Sequence, residues 1–226
     1  MAYSKKLKLL EAAQALRIEA RSSQAVAMRD ELRRMKRVLR RLGYISSDGV
    51  LETKGRFACE LSMTTGNELV LTDMIFDGFF NELSTEQSVA LLSCFVHQEE
   101  VKEGIEKMRT DLHGPYRQLQ SIARNIAKVS IDAKIMMDED EFVKSFNPDL
   151  VEVAFGWCSG SKFSDICRLT DVFEGSIIRV LRRLEELLRQ LAAAALAIGN
   201  VELHEKFEQG ADKIRRGIVF AASLYL

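Results

Sequence analysis

Residues 5–42 contain neither glycine nor proline, and this stretch limits the possible folds more than any other feature of the sequence. Strong helix formers dominate it, so it reads as one helix. Apolar residues recur at Leu9, Ala12, Ala13, Leu16 and Ala20, and again at Leu32, Met35, Leu39 and Leu42, near three-and-four spacing. A helix of this length outruns the roughly 30 Å diameter of a small domain, so an arm is expected, stopped by Gly43. The arm is basic. Residues 1–41 hold 12 Lys+Arg against 4 Asp+Glu, a net of +8; the remaining 20 against 29 give −9, which together make the overall −1. A basic arm on an acidic body points to a polyanion or an acidic protein surface as the arm's partner.

The rest of the composition narrows the class. Of 226 residues, 47% are hydrophobic and 29% charged, with 13 Gly and 2 Pro. That is too apolar for a disordered chain and too poor in Gly and Pro for a low-complexity one. No window approaches the ~18–20 apolar residues of a membrane span, and the start, Met1 to Lys6, leads into no signal-like apolar core; a soluble intracellular protein is expected. Cys59, Cys94, Cys158 and Cys167 show no CxxC pairing, and His97, His113 and His204 are scattered. Free buried thiols are expected, and no metal site.

Beyond Gly43, two short apolar pieces, Tyr44-Ile45 and Val50-Leu51, flank the turn signal Ser46-Ser47-Asp48-Gly49. The segment Thr53–Leu61 fits a strand or a short helix equally. A helix ending in Gly-Tyr-Ile followed by a tight turn has the outline of a winged-helix tail. From Glu68 onward everything reads as helical. Ser84-Thr85-Glu86-Gln87 is a capping box, Gly114-Pro115 and Asn147-Pro148 are proline-assisted helix starts, and Asp138–Glu141 places carboxylates at another. A short helix is expected near 162–169, then a turn with Asp171 and Glu174 as a cap-like pair. The fold class is all-α: a helical bundle (67–226) preceded by a long arm helix (1–42) and a winged-helix remnant (43–66).

Motifs for self-contained catalysis are missing. There is no Gly-x-x-x-x-Gly-Lys-Ser/Thr phosphate cradle, no Gly-x-Gly-x-x-Gly and no Gly-x-Ser-x-Gly. The acidic runs Gln98-Glu99-Glu100 and Asp138–Glu141 read as solvated or capping residues. The strongest chemical signal is the helix at 174–198. On a helical wheel, Ile177, Leu181, Leu184, Leu188 and Leu191 fall together. Opposite them, within about 40° of one line, lie Arg179, Arg183, Glu186 and Gln190, then the small residues Ala193 and Ala197. Arginines at successive turns can hold phosphates, and Glu or Gln can meet a base edge or a ribose hydroxyl. The competing reading is a solvated face in which Arg182 and Arg183 pair with Glu186 at turn spacing. A third reading takes Phe163–Leu169 and the long helix as a helix-turn-helix presenting Ser176, Arg179 and Arg183 to DNA.

Longer strings carry a resemblance. The run Thr170-Asp171-Val172-Phe173-Glu174-Gly175-Ser176-Ile177-Ile178-Arg179, the following Arg182–Gln190, Ala197-Ile198-Gly199-Asn200 and the ending Ile218–Leu226 closely resemble the C-terminal (DSHCT) domain of exosome-associated DExH-box RNA helicases. Lys36–Tyr44, Lys54-Gly55-Arg56, Ala58-Cys59-Glu60 and Ala90–Val96 agree, so the likeness covers roughly residues 30–226. Phe173–Ser176 and Leu224-Tyr225-Leu226 look more like the nuclear, TRAMP-associated branch. The resemblance implies an RNA-guiding, ring-closing region of an ATP-dependent 3′-to-5′ helicase that feeds RNA to the nuclear exosome. It implies a "ratchet" helix at 174–198 whose Arg179, Arg183, Glu186 and Gln190 face single-stranded RNA. It makes residues 5–42 the returning helix of an arch stalk. ATP and Mg would belong to RecA-like domains, in cis or in trans, whose motifs are not found here; this chain by itself is expected to be no enzyme and to carry no cofactor. It reads as part of a longer helicase or a subunit acting in trans. A helical scaffold for a protein partner and a helix-turn-helix DNA regulator are the alternatives. The apolar ending Phe220–Leu226 is expected to dock into the bundle.

Overall fold

A computed structural model describes residues 2–62, 66–97 and 108–221; in the first helix the side chains at 2–5, 7–9, 11, 15 and 18–27 are not described. Glu99 and Glu100 lie outside the described residues. Among the described residues there are ten α-helices and no strand, an all-α fold.

The first helix, α1 (Ala2–Arg41), runs the length that its freedom from Gly and Pro allows. It ends in a reciprocal pair of bonds: Tyr44 N–H donates to the Leu39 carbonyl at 2.8 Å and Gly43 N–H to Arg40 at 3.2 Å. This Schellman closure requires the left-handed φ of +76° that Gly43 supplies. Leu10, Leu16, Met28, Leu32 and Met35 are exposed, whereas Val38 is buried and Leu42 packs against the core, and contact with α5 comes near the C-terminal end. The expected short strands reduce to one antiparallel bridge, Ile45 to Leu51, closed by Ser46 N–H on the Val50 carbonyl. The ambiguous segment after it is a helix, α2 (Thr53–Glu60), and Gly55 explains why it fits there. A Cβ at Gly55 would stand 2.3 Å from the Tyr44 carbonyl oxygen, so only glycine lets α2 pack on the hairpin.

One polar cluster ties this region to the bundle. The Tyr44 hydroxyl, fully buried, is shared between the Leu69 carbonyl (2.8 Å) and Asp73 Oδ1 (2.5 Å). Lys54 Nζ lies 2.7 Å from the same Asp73 oxygen, donates to the Leu42 carbonyl and sits over the Tyr44 ring. Burial, and next the hydrogen bond to Asp73, push the Tyr44 phenol well above its usual range, so it stays a donor.

The bundle comprises α3 (Glu68–Phe76), α4 (Thr85–Val96), α5 (Thr110–Asp132), α6 (Glu139–Lys144), α7 (Val151–Cys158), α8 (Phe163–Ile166), α9 (Glu174–Ala197) and α10 (Val201–Ile214), then a 3₁₀ turn at Gly217–Phe220. The Ser84–Gln87 capping box opens α4 as expected, with both reciprocal bonds formed. Asp138 caps α6 through the Glu141 N–H. Both proline-assisted starts are displaced. The fifth helix begins at Thr110, so Pro115 lies inside it, one turn later than the first-turn position the sequence suggested. The seventh begins at Val151; Asn147 instead accepts the Asp149 N–H in a local turn that leads into it. Asp171 and Glu174 form no cap for α9, whose N-cap position is Phe173. Helix α4 packs on α7, α9 and α10 at the centre of one continuous core, and α10 folds back along α9 after a Gly199-Asn200 closure. Val219 is buried and Phe220 packs against the core; Ala222–Leu226, the rest of the expected docked ending, lie outside the described residues.

The thiols divide by position. Cys94 and Cys158 are buried, as free thiols in apolar surroundings are expected to be, and burial pushes both up to about 12, whereas Cys167 is half-buried and Cys59 exposed. A disulfide reagent at pH 8 should therefore modify Cys59 in the native protein and reach Cys94 and Cys158 only on unfolding, as read by the number of thiols titrated with and without urea. Asp73→Ala strands the Lys54 ammonium in a mostly buried site and should cost about 3 kcal/mol in urea unfolding. The exposed Arg41–Asp132 pair at 3.5 Å sets the contrast: Asp132→Ala should cost under about 0.5 kcal/mol.

Candidate nucleic-acid interface

The geometry of the site follows from which side of α9 is taken up by the core. Ile177, Leu181, Leu184, Leu187, Leu188 and Leu191 are at most 1% exposed. They fill the space between α9 and its neighbours α2, α4 and α10. The remaining arc faces solvent, and it carries Arg179, Arg183, Glu186, Ala193 and Ala197, all exposed. The structure thus brings the expected residues onto one straight line along the helix.

The line is not uniform. Arg179 Nη2 donates to Ser176 Oγ at 3.0 Å, which draws its guanidinium toward the N-terminal end of the helix. Among the described residues, Arg183 and Glu186 make no ion pair, so the turn-spaced pairing of Arg182 and Arg183 with Glu186 does not form. Arg182 instead donates to the Val219 carbonyl at 2.5 Å, and Arg189 pairs with the nearly buried Glu185 at 2.5 Å. Gln190 is half-buried and engaged at both ends: its Oε1 accepts the Ser62 N–H and its Nε2 donates to Ser62 Oγ, each at 3.1 Å. It positions the segment after α2 against α9, so the freely presented part of the line is Arg179, Arg183 and Glu186.

A second feature lies beside this line and was not legible in the sequence. Arg182, Arg189 and Arg215 converge with Glu185, Glu186, Phe220 and Ala221 on an open groove of about 590 Å³. Arg215 comes from the end of α10, so no single-helix wheel could have placed it there. Helix α8 is a four-residue turn, and the buried stripe of α9 runs its whole length. A four-residue α8 ahead of a 24-residue α9 is not the pair of short helices that a helix-turn-helix uses. Chemically, what remains is a rigid helix edge that offers two guanidiniums and one carboxylate with little reorganisation, suited to an extended polyanion with hydrogen-bonding bases.

The sequence matches a family described as the DSHCT (NUC185) domain over residues 48–221, and the chain belongs to that family. Its relatives are helicases. It is 55% identical over 208 residues to the exosome RNA helicase MTR4 of Homo sapiens, a match that covers 92% of this chain and 20% of that protein. It is 50% identical over 224 residues to the ATP-dependent RNA helicase mtr4 of Schizosaccharomyces pombe, covering 99% and 20%. To the DExH-box ATP-dependent RNA helicase DExH9 of Arabidopsis thaliana it is 48% identical over 221 residues, covering 98% and 22%. The chain spans about a fifth of the length of these curated relatives.

If the exposed line serves a ligand and not the fold, its residues are dispensable for stability. Arg183→Ala and Glu186→Ala should each shift the urea-unfolding free energy by less than about 0.5 kcal/mol. Glu185→Ala, which breaks the partly buried pair with Arg189, should cost about 1 kcal/mol in the same assay.

Proposed function

We propose that this chain is the RNA-guiding, ring-closing C-terminal region of an ATP-dependent 3′-to-5′ RNA helicase that feeds RNA to the nuclear exosome. Its mechanism is positional. Arg179 and Arg183 hold phosphates of a single strand, and Glu186 meets a base edge or ribose hydroxyl. Gln190, engaged by Ser62, holds the segment after α2 against the same helix beside the strand. The ATPase work belongs to RecA-like domains outside these 226 residues, in cis or in trans, which bind ATP and Mg; the chain alone turns over no ATP. TRAMP-type cofactors and the nuclear exosome are its partners through the assembled helicase.

The observation that carries this reading is the exposed, unpaired Arg183–Glu186 edge on a helix whose other sides are locked in the core, within a family whose relatives are named exosome RNA helicases. A protein-scaffold role has its own support in the exposed apolar positions of α1, notably Leu32 and Met35, and it uses a different surface.

Fluorescence anisotropy of labelled single-stranded RNA against salt concentration tests the proposal. Binding should weaken steeply with salt, and the Arg179→Ala/Arg183→Ala variant should lose about 1.4 from the log–log slope, two phosphate contacts at ~0.7 each. Binding that is insensitive to salt, or a slope unchanged in the double variant, overturns it.

A further inference from the structure

Phe173 occupies a place that the fold does not explain. It is the N-cap residue of α9, where Ser, Thr, Asp or Asn would accept a backbone N–H, and its side chain makes no such bond. It is also 75% exposed. An aromatic ring left in water at a position that favours a short polar residue gives up both capping and burial.

The ring lies over the first turn of α9. Extending the α9 wheel one turn toward the N-terminus puts Gly175 within about 40° of the line through Arg179, Arg183 and Glu186. Gly175 has no side chain to show there, and the Phe173 ring fills the spot. Carbons of the ring lie 2.8, 3.2 and 3.9 Å from where a Gly175 Cβ would stand. The backbone at Gly175 is not left-handed, so the turn itself does not demand glycine; a side chain there would displace the exposed Phe173 ring from this spot. Arg179, four residues or about 6 Å farther along the axis, is drawn back toward this end by Ser176. The exposed edge of α9 therefore begins with an aromatic face and continues with two guanidiniums.

We infer that Phe173 is a base-stacking residue for single-stranded RNA, seated on Gly175 at the head of the Arg179–Arg183–Glu186 edge. The inference rests on the RNA-guiding reading above and adds to it a contact that does not depend on charge. Stacking on an aromatic ring tolerates every base, which suits a surface that must pass a strand of any sequence.

The test uses the 226-residue chain and short single-stranded RNAs in which 2-aminopurine replaces one base at successive positions. The wild type should change the fluorescence at one position strongly. Phe173→Leu keeps apolar bulk without a ring, and Gly175→Ala pushes the ring off its seat while favouring the helix. Both should abolish the position-specific signal and weaken binding about tenfold. Both should leave the salt slope unchanged and neither should lower the urea midpoint, which Gly175→Ala should raise. Arg179→Ala/Arg183→Ala should do the reverse, lowering the slope while the residual complex keeps the signal. Signal and affinity retained in Phe173→Leu would sink the stacking role and spare the RNA-guiding reading. A wild type that binds no RNA sinks both.

Discussion

The leucine face of α9 is the constraint from which the rest of the molecule follows. Burying Ile177, Leu181, Leu184, Leu188 and Leu191 together removes from water side chains worth about 1.5–3 kcal/mol each. The helix cannot roll without exposing them, so its opposite edge is fixed in direction as firmly as the core is fixed in packing. Helices α2, α4 and α10 each press on α9, and Gln190 adds a polar contact to the segment after α2. An edge built this way needs no ligand to organise it, and ordering cost on binding falls mainly on the partner.

What could be seen in the sequence were the features set by local periodicity. The arm helix, the leucine stripe, the Arg179–Arg183–Glu186 line and the Ser84 capping box are each written within one turn or one wheel. The departures came from contacts that a helical wheel does not carry, some with residues distant in sequence and some in local turns. Pro115 matched the rule for a helix start, but contacts of Leu112 and Tyr116 with the core pull the helix start back to Thr110. Asn147-Pro148 had the composition of a cap, yet Asn147 is consumed by its own local turn. Gln190 sat on the right line and is turned into a structural contact by Ser62, 128 residues away. The groove formed with Arg215 needs α10 folded back on α9 before it exists. Phe173 was visible as a residue, but its exposure and its seat on Gly175 were not.

The joint between arm and bundle is built on a different principle from the core. Tyr44, Lys54 and Asp73 bring one chain of hydrogen bonds across α1, α2 and α3, with the carbonyls of Leu42 and Leu69 as further acceptors. A buried ion pair of this kind adds little net stability, but each partner is costly to remove and its geometry is directional. Apolar contacts alone would permit α1 to pivot on the bundle. Here the Schellman closure at Gly43 sets the direction in which the chain leaves α1, and the Tyr44 hydroxyl two elements away registers it. The arm's exposed apolar positions, Leu10, Leu16, Met28, Leu32 and Met35, all lie on the N-terminal side of this joint.

Charge decides how the α9 edge can meet a polyanion at all. Residues 42–226 carry a net −9, which taken alone would repel RNA. At physiological ionic strength, though, a charge is felt over only about 8 Å, so the balance that matters is local. Along the exposed line two arginines stand against Glu186, and the groove beside it adds Arg182, Arg189 and Arg215 against Glu185, with Arg189 paired to Glu185 and Arg182 bonded to the Val219 carbonyl. The charge free to attract a strand is positive but limited. An uncharged contact beside the arginines is therefore the economical way to hold a base without gripping the backbone harder, and the ring on Gly175 stands where such a contact would be made. Weak charge along the line and a stacking surface at its head suit a helix edge past which a strand is moved by work done elsewhere.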